Sequence, residues 1–324
     1  MSNDKQLLTH SRATSFKRCR KLHWFQYEIM LRPVEAALAL RIGSEMHRLC
    51  DLLRTTGLGV ARAHIAASVG DWRDPYMPNT LLALIEGYAA RWAHCSLICE
   101  TIASEQAFRL SLQNPDGGTS RTFDLAGKID SISRLHDGRV VNVETKTTSA
   151  DLSVESGFWP LLLMDPQISL YFIAAKQAGY DVETIVYDVI KKPTIRPRKA
   201  TPEDKRKYKK DGTLYANQRE QDETEQEWYE RLTADIAERP DFYFARKEVP
   251  RLQQDLDHFA YEIWDIGKDI RQAQLTGRWY RNVGKWTCGN CAYFSLCAGL
   301  APWESGDIAP EGFEYLDDPH PELK

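Results

Sequence analysis

The stretch from Thr122 to Thr148, TFDLAGKIDSISRLHDGRVVNVETKTT, constrains this chain more than any other. Two runs of β-type residues flank His136-Asp137-Gly138, a turn signal of the kind that closes hairpins. The first run carries Gly127-x-x-Asp130. The second reads Val140-Val141-Asn142-Val143-Glu144-Thr145-Lys146. Strand side chains alternate, so Glu144 and Lys146 share one face while Val141 and Val143 take the other. A hairpin closed at this turn sets Asp130 near Glu144 and gathers two carboxylates and an ammonium on one sheet face. Carboxylates that close repel unless a cation sits between them, and oxygen ligands of this kind suit a hard divalent ion such as Mg2+.

The chain has 324 residues, enough for one large domain or two modest ones. A hydrophobic content of 43% and a charged content of 27% fit an ordinary globular protein. The most apolar patch, Trp159 to Met164, is far too short to cross a membrane, and the opening MSNDKQLL lacks the apolar centre of a signal peptide. A cytoplasmic protein with no membrane partner is the expectation. Disulfides are rare there, so the seven cysteines need another explanation. At a net charge of −4, nucleic-acid binding must rest on local patches, not on a global positive field.

Upstream of the hairpin, residues 11–30 place Phe16, Cys19, Leu22 or His23, and Phe25-Gln26-Tyr27 at helical spacing, as in an amphipathic helix with a buried cysteine. Residues 38–54 form another, with Leu40, Met46, Leu49 and Leu53 on one face and Gly43-x-x-x-His47 within it. A lone helical histidine commonly serves structure. The alternative is an imidazole that completes a metal site with the two carboxylates. Residues 79–99 read as a third helix, with Leu81, Leu84, Ile85, Tyr88, Trp92, Cys95 and Cys99 on one apolar stripe. That company places Cys95, Cys99 and also Cys50 in the core. Glu105 opens a half-buried strand to Leu112, as an exposed residue.

Beyond the hairpin, residues 151–164 read as loop with a short helix. Asp165-Pro166-Gln167 then starts a helix with Gln167, Leu170, Tyr171 and Ala174 along one side. The Gln167 amide and Tyr171 phenol, one turn apart, can brace the site or touch a nucleic-acid backbone. Gly179-Tyr180 ends this helix before a strand over 183–190. Residues 191–210 hold ten Lys or Arg against two acids. They form either a mobile arm contacting phosphates or a solvated insertion. Residues 220–238 turn acidic and helical, with Trp228, Leu232 and Ile236 on one side. Residues 252–270 form the most regular helix, a core element carrying Leu252, Leu256, Phe259, Ile263, Ile266 and Ile270. Cys288, Cys291 and Cys297, spaced C-x2-C-x5-C, signal a metal site for zinc or an iron–sulfur cluster. Such a site wants a fourth ligand, and Cys19 is the best candidate. The tail after Pro302 reads as peripheral.

Taken in order, Cys19, Gly43-x-x-x-His47, Asp130, Glu144-x-Lys146, Gln167-x-x-x-Tyr171 and the three late cysteines resemble the PD-(D/E)XK nuclease superfamily. The resemblance is to its RecB-like and AddB-like branch, including CRISPR-associated RecB-like exonucleases. It spans Ser11 to Cys297; the proline of the family name is absent before Asp130, where Gly127-Lys128-Ile129 stands instead. The resemblance implies an α/β fold, a restriction-endonuclease-like core with a central mixed sheet flanked by helices. N- and C-terminal helical parts would be joined by a four-cysteine cluster, [4Fe-4S] or, alternatively, structural Zn2+. It implies one nuclease domain over 1–324, with a helical part (11–100), a catalytic core (101–192), a charged helical insertion (193–250) and a C-terminal helix with cysteines (251–301). It further implies that His47, Asp130, Glu144 and the Thr145 carbonyl hold Mg2+ or Mn2+, that Lys146 assists hydrolysis, that Gln167 and Tyr171 meet substrate, and that Glu105 lies near the site. The implied activity is deoxyribonuclease, as an exonuclease on single-stranded DNA ends in recombination, repair or DNA processing. A helicase or recombination partner has no residue here to support it. The competing class is a non-catalytic or partner-activated DNA-binding protein that keeps the fold, although such a protein has no need to hold two carboxylates together.

Overall fold

The computed structural model describes residues 5–323 except 36, 94–96, 302, 304, 305 and 307. Cys95 and Pro302 therefore lie outside the described residues. Strand β1 (Gln6–Thr9) leads into helix α1 (His10–Arg18), capped by the Thr9 hydroxyl, which accepts the Arg12 N–H. The expected helix over 11–30 is not continuous. Cys19 is extended (φ −166°, ψ 120°), and the chain resumes as α2 (Arg20–His23), a π turn (Trp24–Glu28) and β2 (Leu31–Pro33). Helices α3 (Leu38–Thr55), α4 (Leu58–Ala67) and α5 (Met77–Trp92) follow. Strands β3 (Ile98–Gln113), β4 (Thr119–Leu135) and β5 (Val140–Thr148) then run consecutively. After them come α6 (Phe158–Leu162), α7 (Pro166–Gln177), β6 (Val182–Lys191), α8 (Glu225–Glu238), α9 (Pro240–Tyr243) and β7 (Phe244–Val249). The chain closes with α10 (Gln253–Thr276), α11 (Lys285–Cys288), α12 (Phe294–Cys297) and β8 (Phe313–Tyr315).

The central sheet is mixed, as expected of this α/β class. Its order is β1-β4-β5-β6-β7, with β3 along the other edge of β4. Strand β4 pairs parallel with β1 at Phe123–Ala126 and antiparallel with β5 at Ser131–Arg134. Strands β5 and β6 are parallel and β6 and β7 antiparallel. Gly138 takes φ +93° in the turn between β4 and β5, a conformation that costs glycine little. The β5–β6 register, Glu144 opposite Tyr187 and Thr145 opposite Asp188, fixes which residues share a face.

On the face bearing Glu144, Tyr187 and Val189 pack with Ile168 and Phe172 of α7. Along β1 and the early part of β4, Leu8, Leu125, Phe259 and Ile263 join α10 to the sheet. A second core lies among α3, α4, α5 and α8. There Met46, Leu49, Leu81, Leu84, Trp228 and Leu232 are fully or almost fully buried. Apolar stripes at helical spacing thus find partners, and their burial at roughly 25 cal/mol per Å2 drives the packing. No helix among the described residues is long and apolar enough to cross a membrane.

Four expectations need correction. The helix over 79–99 stops at Trp92, and Cys99 belongs to β3 and is exposed, not in the core; Cys50 is buried as expected. Glu105 does not open β3 but lies within it, at φ +50° and between register shifts. Leu40 and Leu252, assigned to apolar faces, are exposed because each lies at a helix end beyond the packed turns. The tail is not peripheral: β8 pairs with β2, Phe313 packs against Tyr293, and His320 is buried.

Candidate active site

Four elements bring candidate site residues together. Strand β4 brings Asp130, β5 brings Glu144, Thr145 and Lys146, α3 brings His47, and α7 brings Gln167 and Tyr171. Two glycines let the elements approach. A Cβ at Gly43 would meet Thr147 Oγ1 at 3.2 Å, so this position lets α3 lie close to β5. A Cβ at Gly127 would meet the Phe108 ring at 2.6 Å and the Tyr171 ring at 3.2 Å. The glycine of Gly127-x-x-Asp130 is thus demanded by packing, while that of Gly43-x-x-x-His47 sits in a tight contact with one rotatable hydroxyl.

His47 Nδ1 lies 3.2 Å from Asp130 Oδ2, and the Thr145 N–H donates to the same oxygen at 2.9 Å. Lys146 Nζ lies 3.2 Å from Glu144 Oε1 and donates to Gln167 Oε1 at 2.6 Å. Gln167 Nε2 in turn donates to the Tyr171 hydroxyl at 2.9 Å. Both polar ends of Gln167 are therefore engaged within the protein, which makes it a brace for Lys146. At the rim, Glu105 pairs with Lys128 at 2.6 Å. The cleft, about 990 Å3, is lined by Gly43, His47, Glu105, Lys128, Asp130 and Thr147, among others.

Two supporting residues escaped the sequence reading. Asp165, expected only as the start of α7, does cap that helix through Oδ1, which accepts the Gln167 N–H at 2.9 Å. Its Oδ2 faces the site, accepting from the Tyr187 hydroxyl at 2.9 Å and lying 3.5 Å from Lys146 Nζ. Arg54 lies seven residues after His47 and so on the same face of α3. Its Nη2 donates to Thr145 Oγ1 at 2.9 Å, behind the sheet face that carries Glu144. Spacing from His47 was the available signal for Arg54; for Asp165 a sufficient local role concealed the distant one.

The charges shift one another. Burial first, then the nearby Asp130 charge, push the Glu144 carboxyl well above the usual carboxylate range. Asp130 goes the other way: burial opposes its ionisation, but the hydrogen bond and charge of His47 and the Thr145 N–H outweigh it. Burial works against the His47 imidazolium, yet Asp130 and Glu144 hold its pKa above the ordinary value. Lys146 is likewise disfavoured by burial and rescued by Glu144 and Asp165, so its pKa is raised.

Among the described residues, no three His, Cys, Asp or Glu side chains form a ready-made metal-ligand group. The cleft nonetheless fits a hard cation. Glu144 is 4% exposed, and its Oε2 is buried without a hydrogen-bond partner among the described residues. An orphaned carboxylate oxygen beside a second carboxylate is relieved by a divalent ion, and one imidazole nitrogen with carboxylate oxygens is a suitable donor set.

Cys19, Cys288, Cys291 and Cys297 line one cavity of about 190 Å3 with Leu22 and Phe25, separate from the cleft at His47 and Asp130. All four are free thiols, and Cys19 Sγ accepts the Asn282 N–H at 3.4 Å. The fold brings them to one place without metal-ligand geometry.

The sequence profile of the PD-(D/E)XK nuclease superfamily matches residues 7–298. The chain belongs to the PD-(D/E)XK nuclease superfamily. Membership makes it a phosphodiesterase nuclease and accounts for the mixed sheet carrying Asp130 and Glu144-x-Lys146. A "putative exonuclease" from Eubacterium rectale is similar in structure at TM-score 0.48 and 11% identity, over 95% of this chain and 93% of that one. The structure of SSO0001 is similar at TM-score 0.31 and 14% identity, over 78% of this chain and 84% of that one. At these scores the two likenesses carry no weight beside the family match. No curated protein matches the sequence.

Proposed function

We propose that this nuclease is a Mg2+- or Mn2+-dependent exonuclease acting on single-stranded DNA ends in recombination, repair or DNA processing. The observation that carries the metal dependence is the buried Glu144 oxygen without a partner, beside Asp130 and His47. His47, Asp130 and Glu144, with the Thr145 carbonyl, would hold the ion. When bound, such an ion lowers the pKa of a water and neutralises charge on the phosphate.

The chain's own residues do the rest. Glu144 and Asp165 keep Lys146 protonated, so at neutral pH it stabilises developing negative charge and does not act as general base. Gln167, held by Tyr171, fixes the direction of the Lys146 ammonium. His47 and the Thr145 N–H keep the Asp130 carboxylate ionised and oriented. Glu105, paired with Lys128, shapes the rim. The parts 11–100, 101–192, 193–250 and 251–301 act as one nuclease domain. The four cysteines would hold a [4Fe-4S] cluster, with structural Zn2+ as the colourless alternative; their shared cavity supports this reading.

End-labelled single-stranded DNA incubated with the anaerobically purified protein tests the activity. Mg2+- or Mn2+-dependent shortening from one end, as a ladder, is the expected result. Internal cuts at random positions would make it an endonuclease. No digestion of single-stranded, duplex or flapped DNA would overturn the catalytic reading.

A further inference from the structure

The basic stretch after β6 is not an unstructured loop. It leaves the sheet at the cleft, where the Lys192 N–H donates to Thr148 O (2.8 Å) and Lys192 Nζ to Ala39 O (3.1 Å). Lys192 lines the same cleft as His47 and Asp130. Farther out, residues 205–218 fold back on themselves. Tyr208 and Leu214 form an antiparallel bridge, and the Lys209 N–H donates to Thr213 O at 2.7 Å. Gln218 ties the two limbs together, accepting from the Lys207 N–H at 2.6 Å and donating to Lys205 O at 3.1 Å. Asp211 and Gly212, the latter at φ +81°, make the turn.

Charge is sorted along this arm. At its base three acids are neutralised, Asp222 by Lys199, Glu223 by Arg231 and Glu227 by Arg219, while Asp204 and Glu220 are exposed. At the tip, Lys205, Lys207, Lys209 and Lys210 are exposed and take part in no ion pair among the described residues. The one acid within 205–217, Asp211, is turned onto Thr213. The same tip exposes two aromatic rings, Tyr208 at 53% and Tyr215 at 49%. Solubility accounts for exposed lysines but not for two exposed tyrosines among them. Cations with accessible ring faces are the chemistry that binds a single strand, with phosphates on the lysines and unpaired bases on the rings. A duplex offers the phosphates but keeps its base faces stacked.

We propose that residues 205–217 form a single-strand nucleic-acid arm that guides a strand toward the cleft. The proposal rests on the nuclease reading for its role, but binding can be measured apart from cleavage. The full chain is titrated with a fluorescent oligothymidylate and with a duplex of the same length, in EDTA and over a range of salt.

Replacing Lys205, Lys207, Lys209 and Lys210 with Gln should weaken single-strand binding at least about tenfold at 0.1 M salt. It should also flatten the slope of log affinity against log salt by about 3, at roughly 0.7 per phosphate contact. Tyr208→Ala with Tyr215→Ala should weaken single-strand binding about tenfold, with the salt slope and the duplex affinity unchanged. Wild-type affinity and slope in the lysine variant would overturn the proposal, as would equal losses on single strand and duplex in the tyrosine variant. Wild type that binds single strands through this arm yet cleaves nothing with Mg2+ or Mn2+ present would leave the arm standing and remove the nuclease reading instead.

Discussion

At the candidate site, His47 contacts Asp130, and Lys146 contacts Glu144 and Gln167, at 2.6 to 3.2 Å, and all project from long strands and helices packed on a common sheet. In the cysteine region, four thiols share a cavity, but the flanking helices α11 and α12 have four residues each. Helices of one turn do not hold themselves, because nucleation is unfavourable and the first turn gains little. The cleft is therefore built by the fold, and a ligand there serves chemistry. The cysteine region joins residues some 270 positions apart with little regular structure, so a ligand there, as proposed, would serve stability. Substitutions in the two regions should separate activity from stability.

The largest effect should come from Glu144→Gln. It keeps the shape of a buried side chain but removes the carboxyl oxygen that lacks a partner. Cleavage should fall by at least about a hundredfold, as for loss of a principal electrostatic group. The melting temperature should not fall, since a neutral amide avoids the penalty of burying charge. A drop of many degrees would mean that Glu144 is structural. Cys288→Ser should show the reverse pattern. Metal analysis should show iron lost, and the melting temperature should fall by about 5–10 °C, while single-strand binding at low temperature persists. Unchanged iron and zinc contents would remove Cys288 from any ligand set.

Acid should weaken the packing around His23. His23 is fully buried in the turns between Cys19 and β2, with Arg12 Nε donating to its Nε2 at 3.2 Å. That bond requires an unprotonated nitrogen. Burial first, and then Arg12, push its pKa from 6.5 down to about 2. Because the folded value lies below the unfolded one, the unfolded chain binds the extra proton. Stability is full above about pH 6.5 and declines as pH falls toward 2, by up to about 1.4 kcal/mol per pH unit from this one group. Denaturant melts of wild type and His23→Gln between pH 7 and 5 should show a shallower acid dependence in the variant; parallel curves would contradict the assignment.

The smallest effect should be at Arg54, which acts through Thr145. Arg54→Met should lower kcat about tenfold and weaken the apparent Mg2+ affinity, with KM for DNA little changed. Arg54→Lys should recover part of the loss. A loss of melting temperature in proportion to activity, with no change in metal affinity, would make Arg54 merely structural.

Much of this was legible because its signals are local. Alternation along β5 put Glu144 and Lys146 together, the turn at Gly138 set Asp130 opposite them, and helical spacing placed His47, Gln167 and Tyr171. What stayed hidden depends on pairing between distant segments. Strand β1 is four residues long and acquires meaning only against β4, and β2 only against β8. Cys99 sits on a helical stripe in sequence, yet the chain has already left the helix at Trp92. Asp165 satisfies its local capping rule so fully that its second oxygen, facing Lys146, leaves no trace in the sequence.

The most direct test of the central claim is single-turnover cleavage of end-labelled single-stranded DNA by Lys146→Ala, with DNA affinity and melting temperature measured on the same preparation. The account predicts cleavage reduced at least about a hundredfold, with affinity and melting temperature close to wild type. Cleavage within a few-fold of wild type would contradict it, and the chemistry would have to be sought outside the Asp130, Glu144 and Lys146 face.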